Sequence, residues 1–527
     1  MSSHTPCFRI PDPQIKEQIL TALRGAFGLQ EQTEHSLVQT YYDSFDWRLY
    51  LGGSVLRREQ EGQERRLVWS DLQASHARET RRLEGDPPGF AADLPPGLMG
   101  ETLAPLLQMR ALLPQVEIKS RVLPLRVLDG EEKTVLKLAL ETHQSRGPGR
   151  AEYHPMEGRI CLLPVRGYGR PLQRMLAFLR DDLGLAPMED GLLVPALGAI
   201  GRAPADYSSR LDLHFDPQTS AGGVARQIHL TLLNTLERNL PGTRAGLDTE
   251  FLHDLRVAVR RTRSALTQIK GVFPQEVVES FSSRFAWVGQ ITGPTRDLDV
   301  YLLDFERYQN SLPEAFRADL EPLKTFLEAH HRLEQRKMVN KLNSPHFRSL
   351  LKEWRAFLEQ PEEAWPDAPN AWRPIKEVAD RRIRRIYKRV LGEGGAITGQ
   401  SPPEAFHNLR KSCKKLRYLM EFNQSLYPKR SIRPLIKGIK GLLDNLGDYQ
   451  DLEVQALKLR EFAHQMLQEG EVPADTLLAM GMLVDGLLTR QREAEARFSS
   501  EFARFAGAEH RAVFHRLFPG KGGGSGK

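Results

Sequence analysis

Cysteine is nearly absent from this chain of 527 residues: there are three, Cys7, Cys161 and Cys413, far apart and in no metal-ligand spacing. So few, so placed, argues against a disulfide framework and points to a reducing compartment. Also missing is any uninterrupted apolar run of about 18 residues, the length that spans a bilayer. The start, MSSHTPCFRIPDPQ, has no apolar leader core. These absences predict a cytoplasmic protein with no membrane partner. The last residues, GKGGGSGK, do not form a phosphate loop, because no Ser/Thr or helix follows the final Gly-Lys. Residues 520–527 read as a flexible tail or tag.

What is present is an ordinary globular balance, 40% hydrophobic and 27% charged, sufficient for real cores. The net charge of +7, with a pI of about 9.2, is a mild excess, so the location of the positive charge matters more than its total. The length allows two to four domains at roughly 150 residues each.

The texture changes along the chain. In the first 200 or so residues, LVQTYYDSFDWRLYLGG, SVLRREQ and ERRLVWSDL carry β-branched and aromatic residues between breaks, as strands do. VEIKSRVLPLRVLDGEEKTVLKLALETHQ predicts a hairpin turning at Asp129-Gly130, and RPLQRMLAFLRDDLGL an amphipathic helix ending near Gly184. After the punctuation HFDPQTSAGG, nearly everything has helical period.

The helical half repeats itself. Adding 154 to a residue number carries Val224-Ala225 onto Val378-Ala379, His253 onto His407 and Leu255-Arg256 onto Leu409-Arg410. Further along it carries Arg263 onto Arg417, Pro274 onto Pro428, Gly293 onto Gly447 and Asp297-Leu298 onto Asp451-Leu452. Each copy reads as four helices: a first one, the histidine helix, one ending before the Asp-Leu segment, and a long last one. Two pseudo-symmetric four-helix bundles are predicted.

The histidine helix carries the chemistry. At about 100° per residue, His253, Arg256, Arg260, Arg263 and Lys270 fall in one arc of roughly 100°, bordering the apolar arc of Leu255, Val259, Leu266 and Ile269. His407, Arg410, Lys414 and Arg417 repeat the stripe beside Leu409, Cys413, Leu416 and Met420. Residues 253–263 hold four arginines and one acid, and residues 407–417 five cations and no acid. A solvated face mixes signs, and like charges one turn apart repel by a few tenths of a kcal/mol per pair. Twice-repeated cation stripes predict a polyanion partner. The first helix of the second copy, RRIRRIYKR (381–389), is likewise basic, with Arg381 and Arg385 as further candidates, and Lys337 is another.

Arginine forks and lysine point charges suit phosphate oxygens. Nucleic-acid readers add stacking aromatics or base-reading amides, and the stripes have none, so a phosphate chain without bases is expected. The histidines are expected to donate when protonated, tightening binding between about pH 8 and 6. His253-Asp254 invites comparison with HD-type metal phosphohydrolases, but the second copy has His407-Asn408 and no further ligand cluster follows. Asp297 and Asp451 are expected to cap a helix or pair with a stripe arginine.

With HDLRVAVRRTRSAL, GPTRDLDV, NSPHFRSLL, HNLRKSCKKLRYLMEF and GLLDNLGDYQDLEV in order, the helical half resembles the CHAD family, over roughly residues 216–519. The resemblance implies a basic pore or groove between two helical bundles that binds long-chain inorganic polyphosphate, with recruitment to polyphosphate granules. It carries over to His253, Arg256, Arg260, Arg263, His407, Arg410, Lys414 and Arg417. Arg261, Lys411 and Lys415 match basic family positions but point about 40–80° off the stripe.

The first half is similar to the CYTH or triphosphate tunnel family through TYYDSFDWRLYLGGSVLRRE, with Lys119 and Arg121 as tunnel cations. It departs where the family has Glu-x-Glu-x-Lys (here CFRIPDP), at Glu59 in place of an arginine, and at RICLLPVRGY, which brings no glutamates. Two-metal hydrolysis needs such carboxylates.

The expectation is an α+β tunnel-barrel-like domain (1–205), a linker (206–223) and an all-α domain of two pseudo-symmetric four-helix bundles (224–519; repeats about 224–350 and 378–519). The chain is expected to be non-enzymatic, with no cofactor or metal and no specific nucleic acid, and to bind polyphosphate. The competing readings are a metal-dependent triphosphate or polyphosphate hydrolase and a nonspecific nucleic-acid binder.

Overall fold

The structure is a computed structural model that describes residues 6–12, 15–72, 77–94, 96–188, 191–361, 365, 367–470 and 472–519. The expected tail at 520–527 lies outside the described residues. The chain divides into two compact units, Met1–Ser209 and Arg210–Lys527.

In the first unit, period-2 alternation gives strands β1 (Cys7–Ile10), β2 (Gly28–Glu31), β3 (His35–Asp43), β4 (Ser54–Glu61), β5 (Glu64–Asp71), β6 (Ala77–Arg82), β7 (Leu113–Leu128), β8 (Thr134–Arg146), β9 (His154–Pro164) and β10 (Pro187–Met188). They form one antiparallel sheet in the order β10-β1-β9-β8-β7-β3-β4-β5-β6, with β2 beside β7. The expected hairpin is β7–β8; its turn is held by Asp129 Oδ1, which accepts from the backbone N–H groups of Glu131 (3.0 Å) and Lys133 (2.9 Å). Helices α1 (Lys16–Ala26), α2 (Arg48–Leu51), α3 (Leu98–Leu107), α4 (Gly169–Ala177) and α5 (Leu193–Ala199) cover its apolar faces. The helix expected up to Gly184 is α4, continued by a π-helical turn, Phe178–Asp182; Gly184 closes it at φ 64°.

The cysteine reading needs correcting. Cys7 and Cys161 stand opposite each other across the β1–β9 pair and are joined by a disulfide, Cα–Cα 4.1 Å. Distance along the chain says nothing about strand register, and the register is what brings them together. Cys413 is the free thiol, and it is buried. Thiol labelling tests this: denaturation without reductant should expose one reactive cysteine per chain, and denaturation with reductant three.

The second unit is helical: α6 (Ala221–Ala245), α7 (Thr249–Gln268), α8 (Gln275–Ile291), α9 (Gly293–Leu303), α10 (Phe305–Ser311), α11 (Glu314–Arg317), α12 (Glu321–Leu342), α13 (Pro345–Leu358), α14 (Ile375–Gly395), α15 (Pro403–Phe422), α16 (Lys429–Glu469), α17 (Ala474–Phe505) and α18 (Ala508–Leu517). The repeat offset of 154 carries the first residue of α6 onto that of α14, both ends of α7 onto those of α15, and the first residue of α8 onto that of α16.

One expected boundary is absent from the second copy. The first copy breaks between α8 and α9 at Thr292–Pro294, where proline has no N–H for the carbonyl one turn back. At the corresponding position the second copy has Asp448, and α16 runs unbroken through Asp451. Nor do the helices sort into one core per copy. One apolar core joins α6, α7, α8 and α13 to α14, α15 and the first half of α16. A second joins α9, α10 and α12 to the C-terminal half of α16 and the N-terminal half of α17. No helix among the described residues is long and apolar enough to cross a membrane.

His229 lies inside the larger core at 1% exposure, its ring centroid 5.1 Å from that of Trp354 and 5.6 Å from that of Phe273. Burial pushes its pKa down to about 3. The folded state then binds this proton less readily than the unfolded chain, whose histidine titrates near about 6.5. The stability contribution is present above that value and lost as pH falls toward 3. The second copy has Ile383 at the same position. His229→Ile should therefore be increasingly more stable than the parent as pH falls below about 6.5; urea melts at pH 7 and pH 5 that shift in parallel would contradict this.

Candidate anion-binding site

The two histidine helices are started differently and end up alike. Gly246, at φ 62°, closes α6, and the Asp248 carboxylate then caps α7, accepting from the N–H groups of Glu250 (2.9 Å) and Phe251 (3.1 Å). Gly242 lets the Phe251 ring lie against the α6 backbone, since a Cβ there would sit 2.4 Å from the ring. In the second copy, Pro402 and Pro403 open α15. The predicted apolar seams are buried on both: Leu255, Val259, Leu266 and Ile269, then Leu409, Cys413, Leu416 and Met420, none more than 3% exposed.

The stripe residues beside those seams gather where α7 packs on α15. Lys414 is half-buried, and its pKa is pushed down to about 8, by burial first and then by Arg410, Arg260 and Arg417, with Asp451 opposing. Arg256 is lowered by burial above all, with Asp297 opposing and Arg260 adding to the shift. Cations from both copies thus share one neighbourhood.

Arg256 reaches the C-terminal end of α8, donating through Nη1 to the Gly289 carbonyl and the Thr292 hydroxyl, both at 2.8 Å. Arg410 donates through Nη2 to both oxygens of Asp451 (3.1 Å each) and through Nη1 to Gln450 Oε1 (3.3 Å). Asp451 therefore pairs with a stripe arginine and is not a cap: it lies in the middle of α16. Arg260 and Arg263 are exposed. Arg417 lies 3.6 Å from Glu421 and over the Tyr418 ring at 4.8 Å.

Both histidines are held by residues that the motif reading passed over. Arg296 donates through Nη2 to His253 Nδ1 (3.1 Å) and through Nη1 to the Thr249 carbonyl (3.2 Å). At the same repeat position, Gln450 meets His407 Nδ1 at 2.6 Å. A guanidinium has no acceptor, so His253 Nδ1 is the acceptor and the ring proton sits on Nε2. Gln450 has its oxygen turned to Arg410, so its amide nitrogen faces His407 and imposes the same tautomer. In this geometry each ring carries a proton on Nε2 and can donate from there. Arg296 and Gln450 each directly precede the repeated Asp-Leu, and that placement was the available signal. Behind Arg296, Asp299 accepts from His331 Nε2 at 2.7 Å.

The remaining candidates scatter. Arg261 is half-buried and faces α15, its pKa lowered by burial first, with Glu421 and Tyr418 opposing and the stripe residues Arg417 and Arg260 adding to the shift, so it stays near the stripes. Lys411 and Lys415 line a cleft of about 340 Å³ against α14, and Arg385 is exposed on that helix. Arg381 is exposed on α14, Lys270 is exposed just past α7, and Lys337 pairs with Glu334 at 2.8 Å. Among the described residues, none of these last three shares an ion pair with the stripe.

In the first unit, Lys119 and Arg121 are exposed and stand opposite Val38 and Ser36. That is the reverse face from Arg57, Gln39 and Tyr41, so they do not join the polar interior; the strand alternation puts Ile118 and Ser120 there instead. The interior carboxylates are already taken. Glu59 accepts from Arg57 at 2.8 Å and Gln39 at 3.1 Å, and Glu141 accepts from Arg159 at 2.8 Å. No cluster of three or more His, Cys, Asp or Glu able to hold a metal occurs among the described residues.

Residues 227–460 match the family model of the CHAD domain. Two uncharacterised proteins of Mycobacterium tuberculosis are 26% identical over 236 residues, 41% of this chain and 44% of theirs. The match spans less than half the length of those relatives. Among solved structures, the CHAD domain from the plant Ricinus communis is 22% identical, covers 58% of this chain and 95% of its own, and has a TM-score of 0.44. PptA from Streptomyces chartreusis is 16% identical, covers 54% and 99%, and has a TM-score of 0.41. A putative adenylyl cyclase from Hippeastrum, described as having a dominant triphosphatase activity, is 13% identical, covers 39% and 100%, and has a TM-score of 0.23.

Lys414 offers a direct check on the cation cluster. Its folded pKa lies below that of an ordinary lysine, so the folded state holds fewer protons than the unfolded chain between about pH 8 and 10.4. Stability should rise with pH across that window, and Lys414→Met should flatten the rise in thermal melts.

Proposed function

We propose that this chain binds long-chain inorganic polyphosphate along the paired stripes of α7 and α15. His253, Arg256, Arg260 and Arg263 form one wall, and His407, Arg410, Lys414 and Arg417 the other. The observation that carries this reading is the half-buried Lys414, whose charge is disfavoured by its own burial and by cations of both helices. A polyanion relieves that cost, and the CHAD domain match supports the same ligand class. Arginines donate paired hydrogen bonds to phosphate oxygens, the histidines add Nε2–H, and released counterions make affinity fall steeply with salt.

The first unit is non-catalytic in this reading, because its interior carboxylates are engaged by arginines. Association with polyphosphate granules in the cytoplasm belongs to the proposal and rests on the ligand alone. The Cys7–Cys161 bond removes the cysteine argument for a reducing compartment.

The test is a titration of the whole chain with long polyphosphate, DNA and ATP. The double variant Arg256→Glu, Arg410→Glu should bind polyphosphate at least about a hundredfold more weakly, as two charge-assisted contacts are lost. Unchanged binding would sink the site assignment. Equal affinity for DNA at moderate salt points instead to nonspecific nucleic-acid binding, and Mg²⁺- or Mn²⁺-dependent phosphate release points to a hydrolase. Asp451 competes with the ligand for Arg410, so Asp451→Asn should tighten binding a few-fold, the scale of an exposed ion pair. Affinity should also fall as pH rises through about 8, where Lys414 loses its proton.

A further inference from the structure

We propose that the cleft between α14 and α15 is a second anion site, separate from the stripes, that takes a compact phosphate polyanion of pyrophosphate or tripolyphosphate size. Its volume of about 340 Å³ lies at the small end of ligand pockets. Arg389 and Glu393 line it from α14, and Asn408, Lys411, Ser412 and Lys415 from α15. Three cations meet one carboxylate there, and Glu393 stands 4.0 Å from Arg389. Among the described residues neither Lys411 nor Lys415 has an ion pair. The charge on Lys415 is disfavoured first by burial and then by Arg389 and Arg382, with only Glu393 opposing among its largest influences. Two positive charges are left over, which suits a ligand with two or more negative charges. Ser412, 4% exposed, and the Asn408 amide supply neutral donors beside them.

Two observations separate this cleft from the stripes. On α15, Lys411 and Lys415 lie about 60–160° around the helix from Arg410, Lys414 and Arg417, so a chain lying along the stripe runs past them. The cleft is also not part of the repeated design. At the same positions the first copy carries Thr235, Asn239, Asp254, Val257, Ala258 and Arg261. Five cleft positions are there neutral or acidic, and Arg261 faces α15. The backbone repeats and the charge does not, so packing the helix pair does not require these cations.

The inference does not depend on the stripes binding anything, and the experiment keeps the two apart. Binding of pyrophosphate, tripolyphosphate and long polyphosphate is measured by calorimetry on the full chain. The parent is compared with Lys411→Val, Lys415→Gln and with Arg256→Glu, Arg410→Glu. The cleft variant should lose at least about tenfold in pyrophosphate affinity and hold long polyphosphate within a few-fold; the stripe variant should do the reverse. Valine stands at the position matching Lys411 in the first copy, and matched thermal melts confirm folding; Arg389→Gln on the opposite wall repeats the test if they differ. The proposal is overturned if the parent binds neither short phosphate, if the cleft variants bind them as the parent does, or if short and long phosphates weaken together in both variants.

Discussion

The helical unit depends on a conflict between neighbouring side chains on α7 and α15. Each helix must bury its apolar seam, and each seam is bordered by cations one or two positions away. Burying a leucine or valine side chain contributes about 1.5–3 kcal/mol, whereas repulsion between like charges one turn apart costs a few tenths of a kcal/mol per pair. The seam decides the packing, and Arg256, Arg260, Arg410 and Lys414 are carried into proximity by it. The lowered pKa of Lys414 is the residue of that conflict.

The conflict is contained by neighbours that restrain two of these cations. Arg256 is tied to the end of α8, and Arg410 to Asp451 and Gln450. Arg296 and Gln450 fix the two imidazoles in one tautomer. Rotamers restrained before a ligand arrives lose less entropy when it binds. The first copy achieves this with a broken α8–α9 pair and the second with an unbroken α16. The shared requirement is therefore where side chains end up, and the number of helices that deliver them is free to vary.

Much of this was legible in the sequence. The constant offset predicted the matching starts of the repeated helices and both ends of α15, and helical phase predicted every buried seam residue. Phase also set Lys411 and Lys415 apart from the stripe arginines, and they line the cleft against α14; Arg261, set apart with them, stays within the influence of Arg260 and Arg417. Other features depend on contacts between segments distant in the chain. The Cys7–Cys161 bond follows from strand register, and the exposure of Lys119 and Arg121 from which face of β7 turns inward. The grips of Arg296 on His253 and Gln450 on His407 depend on how α9 and α16 pack against the histidine helices. The unbroken course of α16 was visible as Asp448 in place of Pro294, and the repeat-based boundary concealed it.

An internal repeat also serves as a control experiment within one chain. Where both copies keep the same residue type, as at Leu255 and Leu409 or along the stripes, packing and any ligand make the same demand and cannot be told apart. Where the backbone repeats and chemistry diverges, packing is held constant and the difference has another cause. His229 against Ile383 is one such pair: both fit the core, and only one brings a titratable ring whose burial costs stability in acid. Lys411 and Lys415 against Val257 and Arg261 is another. Valine shows that α7 needs no charge at that position, so the lysine of α15 answers to something outside the helix pair. An anion in the cleft beside Arg389 is the partner that its charge, size and donors describe.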